Sequence, residues 1–277
     1  MMCSKWWFGA ALGTVLGTVV AVALAPTAHA GGYATDQRGN IYRVLPETKK
    51  FERLGTVQIA PKEGQKGTAY TPILTDLALS EVHGLYGITY SDLIQIDVRD
   101  PARSRRVGAL GAGASFNALV FDPDGKELYA LAGDTFFQVN LKTGVAKAIG
   151  PVGSGGYSDG DLGFLADVLY GTFSRGDGSH LVKIDLKTGK GVDVGLIRLV
   201  PATKKADASQ PAPKESERPA PKGKPVSAVW GLIWDGYTAW ALTQGGSVLE
   251  LDPKSARATL RFQTPLMFYG ACPMLRL

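Results

Sequence analysis

Cysteine and histidine are scarce in this chain, at two and three respectively in 277 residues. Cys3 and His29 fall within the first thirty residues, which leaves Cys272, His83 and His180 for the remainder. A single cysteine cannot form an intramolecular disulfide, so the fold has to stand on its hydrophobic core. Two separated histidines and one cysteine make no zinc pattern. A serine triad has only His83 and His180 to draw on, and both lie in Gly-rich loops. Cys272 is expected as buried packing rather than as a reactive thiol.

Long apolar runs are also missing beyond the N-terminus. Lys5 supplies a positive start, and Phe8 to Ala25 is apolar apart from Gly and Thr. Pro26 then interrupts the run, and Ala28-His29-Ala30 has the small residues of a cleavage site. This predicts a secretory signal peptide over 1–30, cleaved after Ala30. An uncleaved anchor is the rival, because the run is just long enough to cross a bilayer. The expected destination is the periplasm or the cell exterior, with no transmembrane segment left after cleavage.

A surplus of positive charge is absent once it is located. The net charge is +5, but Lys5 carries one unit and the segment Pro201 to Pro225 carries three, leaving a core near +1. A core so close to neutral has no electrostatic footprint for nucleic acid. The Pro201–Pro225 segment itself is rich in Pro, Ala, Lys and Glu. It cannot bury enough surface to offset its ordering entropy, so 201–225 is expected to be a disordered insertion.

What the chain does have is repetition. Leu85-Tyr86-Gly87-Ile88 is followed by Leu93 to Asp97, and Leu128-Tyr129-Ala130-Leu131 by Phe137 to Asn140. Leu169-Tyr170-Gly171-Thr172 is followed by Leu181 to Asp185, and Ala239-Trp240-Ala241-Leu242 by Val248 to Asp252. Three units end at a glycine, Val107-Gly108, Ile149-Gly150 and Val192 to Gly195, and the fourth ends in Ala258 to Phe262. The alternation in Leu-Val-Lys-Ile-Asp has the period of two expected of a strand. The closing Asp or Asn starts a turn, and Gly144 and Gly189 supply its left-handed residue. These acidic residues are turn formers, not ligands.

Spacing decides the architecture. Asp97 to Asn140 is 43 residues and Asn140 to Asp185 is 45. Asp185 to Asp252 is 67, or 42 without the 25-residue insertion. A period near 40 with four short strands per unit is the signature of propeller blades. The first unit lacks an opening strand, and Leu266 to Cys272 is an apolar strand without partners. Counting from Asp252 through the chain end and on from Gly31 to Leu45 again gives 40. The prediction is an all-β, single β-propeller of five four-stranded antiparallel blades spanning 31–277. The C-terminal strand closes the ring by joining the N-terminal blade. Six blades is the alternative count.

The pattern Leu-Tyr-Ala … Ile-Asp-x-x-Thr-Gly … Val-Gly resembles the divergent repeats of secreted bacterial β-propellers, grouped with quinoprotein-like and NHL- or YVTN-type repeat proteins. The resemblance covers the chain after the leader but specifies blade structure only. Trp234-Asp235 occurs once and in the wrong strand for a WD-type blade, and no cofactor-dehydrogenase signature is present. The resemblance implies a fold shared by lectins, hydrolases, lactonases and scaffolds, and does not choose among them.

Ligands of propellers gather at a mouth of the central channel. Aligning the units places Asp76, Asn117, Asp161, Trp230 and Tyr269 or Gly270 at equivalent positions, at the start of each innermost strand. Aromatic faces beside hydrogen-bonding groups suit sugars, and paired carboxylates also suit Ca²⁺. The alternative role for such an Asp is to accept backbone N–H groups of the next blade. Trp234 and Trp240 are expected in the core. No catalytic residue and no required cofactor is assigned. The reading is a monomeric, non-enzymatic binding or scaffold protein for a glycan, peptide or protein. Its rival is a carbohydrate-active or other hydrolase using Asp76 and Asp161, which would have to flank a glycosidic bond.

Overall fold

The computed structural model describes residues 31–61, 66–111, 113–201 and 223–274. The predicted leader and most of the insertion, 202–222, lie outside the described residues. Among those described, helical structure is confined to two three-residue 3-10 turns, Pro46–Thr48 and Pro101–Arg103. No helix there is long and apolar enough to cross a membrane.

Five antiparallel sheets form the molecule. From the axis outward, blade 1 consists of Phe268–Pro273, Gly32–Asp36, Asn40–Leu45 and Lys50–Thr56. Blade 2 runs Asp76–Ser80, Gly84–Ile88, Asp92–Ile96 and Arg105–Ala109. Blade 3 runs Phe116–Phe121, Leu128–Ala132, Thr135–Val139 and Ala146–Pro151. Blade 4 runs Tyr157–Leu165, Val168–Ser174, Ser179–Ile184 and Gly191–Leu196. Blade 5 runs Val229–Trp234, Ala239–Thr243, Ser247–Asp252 and Arg257–Gln263. Each innermost strand touches those of its two neighbours, and the series closes between blades 5 and 1. The seam lies where the arithmetic put it: Gly32 to Thr35 pairs with Pro273 to Gly270. Met274 N–H also donates to Gly31 C=O at 2.7 Å.

The blades hold together through five hydrophobic clusters, one at each blade–blade interface. Alternation along a strand sorts its side chains between two of them. Leu119 and Phe121 pack toward blade 2, whereas Ala118 and Val120 pack toward blade 4. Both faces of each blade are thus buried, so its inner strands read as nearly continuous apolar runs. Sealing every inner edge in a ring also removes sites for intermolecular strand pairing.

The turn residues act as expected. The Oδ1 atoms of Asp97, Asn140, Asp185 and Asp252 accept N–H groups two residues ahead, at 2.9, 2.9, 3.1 and 3.0 Å. Gly144 and Gly189 adopt φ of 80° and 75°. The Val-Gly pair closing a repeat also acquires a reason. A Cβ on Gly108 would lie 1.9 Å from the Thr143 carbonyl oxygen, and one on Gly150 would lie 2.5 Å from that of Thr188. The outer strands of blades 2 and 3 make room for the hairpins of blades 3 and 4. Backbone bonds continue this belt, with Ala146 N–H donating to Leu110 C=O and Gly191 N–H to Val152 C=O.

The insertion departs from expectation at its ends. Lys224–Pro225, assigned above to disordered chain, is a short strand paired antiparallel with Arg198–Leu199. Arg198–Leu199 in turn lies parallel to Arg257–Ala258, widening blade 5 to six strands. Pro225 is tolerated because it sits on an edge strand with no further neighbour to supply.

Candidate functional site at the propeller axis

The five predicted site residues do not occupy one ring. They divide between two layers one residue apart. Leu77, Leu119, Leu162, Leu232 and Ala271 face Gly87, Ala130, Gly171, Ala241 and Ala34 on their neighbouring strands, which makes them equivalent. The residues just before them are Asp76, Ala118, Asp161, Gly231 and Gly270. Asn117, Trp230 and Tyr269 stand one step earlier. The offset arises from β-bulges, between Phe116 and Ala118, Val229 and Gly231, and Phe268 and Gly270. In blade 4 the irregularity is wider and spans Ser158 to Leu162. A bulge inserts a residue into one strand and re-aims its side chain.

The inner layer is sealed. Asp76 and Asp161 are both fully buried. Asp76 accepts the Leu77 amide at 2.7 Å and, across the blade boundary, the Leu119 amide at 2.6 Å. The oxygens of Asp161 make no hydrogen bond of ordinary length and angle. The amides of Leu232, Ala271 and Leu162 nevertheless lie near enough to favour its charged form. Ala271 also acts on Asp76, so all five equivalent amides converge on these two carboxyl groups. Burial pushes both well above the usual carboxylate range, and for Asp76 the charge of Asp161 adds to the rise.

The arrangement gives these aspartates a structural task. Asp76 satisfies the amides of Leu77 and Leu119, and Asp161 lies among those of Leu162, Leu232 and Ala271. A carboxyl group with no solvent-facing atom has no access to a glycosidic bond, so the hydrolase alternative loses the pair on which it rested. The donors converging on the pair are N–H groups, whereas Ca²⁺ takes about six to eight oxygens. Among the described residues no three His, Cys, Asp or Glu side chains are placed to hold a metal, and the Ca²⁺ expectation gains no support from this geometry.

The outer layer is open. Asn117, Trp230 and Tyr269 are each half-buried. Trp230 and Tyr269 form an edge-to-face pair with ring centroids 5.0 Å apart. Gly160 makes room for the indole, since a Cβ there would come within 3.1 Å of it. Asn117 Nδ2 donates to the Ser158 carbonyl at 2.9 Å. Asn117 Oδ1 and Trp230 Nε1 are buried without a hydrogen-bond partner. Asp159, which sequence reasoning passed over, lies in the widened bulge and accepts a hydrogen bond from Ser179 Oγ on the third strand of its blade.

Two further tryptophans separate. Trp240 is in the core, and its Nε1–H donates to Asp235 Oδ2 at 2.7 Å. Trp234 was expected there too, but it is half-buried and lines a cavity of about 250 Å³ at the opposite mouth. Cys272 is buried, and burial pushes its thiol well above its ordinary range.

One Gly-x-Ser-x-Gly string occurs, Gly156 to Gly160. It lies on an inner strand and not on a strand-to-helix elbow. Ser158 pairs with Phe173, which pairs with His180, so the histidine is two strands away. His180 is held instead between Asp177 at 3.0 Å and Asp193 at 3.3 Å.

No family model and no curated protein matches the chain. Solved structures do resemble it. A chain of the nidogen–laminin complex is 12% identical, with 89% of this chain and 98% of that one covered, at a TM-score of 0.51. A Bacteroides thetaiotaomicron protein of unknown function is 14% identical over 88% of this chain at a TM-score of 0.46. This chain spans 64% of the length of the Bacteroides protein. At such identities the likeness to the nidogen–laminin chain speaks for the fold alone, and the fold is a β-propeller of five blades.

Proposed function

We propose that this is an exported, non-enzymatic binding propeller that docks a protein or peptide on the face around Trp230 and Tyr269. The observation that carries this reading is the placement of exposed apolar groups. Tyr70, Ile73, Tyr90, Tyr157 and Met267 are all substantially exposed. Each lies in a loop, turn or strand start at the end of the ring where the inner strands begin. The opposite end carries Val82, Val145 and Tyr237 on its turns and Val192 at the start of an outer strand, with no exposed pair of aromatics at its centre. Exposed tyrosines and apolar side chains grouped around a centre of half-buried aromatics are the features of an interaction surface. Asn117 adds a polar group at the middle. Export rests on the leader pattern, which supports a periplasmic or extracellular site of action, and the secreted-type repeat resemblance agrees with it.

The test is a comparison of the wild-type chain with Trp230→Ala, using chemical cross-linking in envelope extracts and a glycan array. A protein cross-linked by wild type and lost in the variant is the expected result. Identical cross-linking by both would remove the mouth from the reading. Glycan binding lost in Trp230→Ala would reassign the same site to a carbohydrate.

A further inference from the structure

The mouth opposite Trp230 holds a second, differently built site. All five blades contribute to its walls, which include Leu79, Phe121, Phe164, Trp234 and Met274. The space is about 250 Å³. A dry cavity of about 150 Å³ is enough for benzene, so this one admits a compact ligand of somewhat larger size but not a chain. Its lining includes Asp122, Asp167 and Asp235 and no lysine, arginine or histidine.

The carboxylates are not equivalent. Asp235 is spent on its own turn and on Trp240 Nε1. Asp122 Oδ1 accepts the amides of Lys126 and Glu127 at 2.7 and 3.0 Å. Asp167 is exposed, and no ion pair or hydrogen bond engages it among the described residues. It is held at the rim by a two-residue turn between the paired residues Leu165 and Val168. Both turn residues, Ala166 and Asp167, adopt left-handed backbone, with φ of 50° and 65°. Asn-Gly would occupy such a turn with less strain. The chain keeps a carboxylate there instead.

We propose that this pocket binds a small organic cation with an apolar body, held against the Trp234 indole and beside the Asp167 carboxylate. Aromatic faces attract cations through their quadrupole, tryptophan most strongly. The apolar wall accommodates methyl or methylene groups that would surround such a charge. With no basic side chain in the lining, although Lys183, Lys187 and Lys190 line the adjoining cleft beyond Asp167, the carboxylates favour a positive head group. This site is independent of the face around Trp230.

Choline and its neutral carbon isostere, dimethylbutanol, have nearly the same shape and differ in charge. Titration of each into the full chain, followed by calorimetry, separates charge recognition from apolar burial. Choline is expected to bind about tenfold more tightly than the alcohol. Trp234→Leu and Asp167→Asn should each weaken choline by about fivefold or more, while Trp230→Ala leaves it unchanged. Equal binding of the two probes, no binding of choline, or a loss caused by Trp230→Ala overturns the assignment. If Trp234→Leu lowers the melting temperature, Asp167→Asn, a rim substitution, decides alone.

Discussion

Asp76 and Asp161 stand on blades 2 and 4, yet the backbone amide of Ala271 lies near enough to favour the charged form of both. Two buried acids so placed cannot both ionise without cost, because neither is solvated and their charges repel. The ring therefore carries a titratable pair at its centre, where most propeller positions hold only small side chains such as Ala118, Gly231 and Gly270.

This pair gives the fold a defined pH dependence. Both folded-state pKa values are raised, so the folded chain holds protons that the unfolded chain releases near pH 4. The associated stability is fully present below about pH 4 and is lost as pH rises toward the raised values. Asp161→Asn removes the repulsion and should flatten this decline, adding about 1 kcal/mol or more at neutral pH. Urea denaturation of both proteins from acid to neutral pH measures the difference. Parallel curves would mean that Asp161 takes up no proton on folding and contributes nothing to the pH dependence.

Closure of the ring should dominate stability. Removing Phe268 onward strips blade 1 of its innermost strand and opens two interfaces at once. Removing 204–220 leaves the pairing of Arg198–Leu199 with Lys224–Pro225 untouched. The first deletion is expected to abolish cooperative thermal unfolding, and the second to shift the melting temperature little. Similar melting curves for the two would contradict the seam.

Gly108 tests the belt between blades. Its φ is not left-handed, so an alanine there meets a steric obstacle and no backbone strain, with the new Cβ 1.9 Å from the Thr143 carbonyl oxygen. Gly108→Ala should cost about 1–3 kcal/mol. Gly245→Ala is the control, because nothing lies within 4 Å of its Cβ position. Equal denaturation midpoints for the two variants would show that the hairpin yields freely.

Blade number, seam and turn aspartates were all legible before the ring was folded. All three follow from periodic constraints: a repeat near 40 residues, a strand period of two, and an Asx-to-Gly turn. Trp240 was placed in the core because it stands where other units have Tyr. The functional layers were less legible. Asp76 and Asn117 read as equivalent because both open an inner strand, but a bulge moves Asn117 out by one residue while leaving the apolar pattern intact. Periodicity cannot reveal an added residue that pairs with nothing. The opposite mouth was invisible for a different reason: Phe121, Phe164 and Trp234 each look like core in their own repeat, and only closing the ring brings them around one space. Ring closure thus separated the aspartates buried among amides at the axis, Asp76 and Asp161, from those, like Asp167, left facing a pocket.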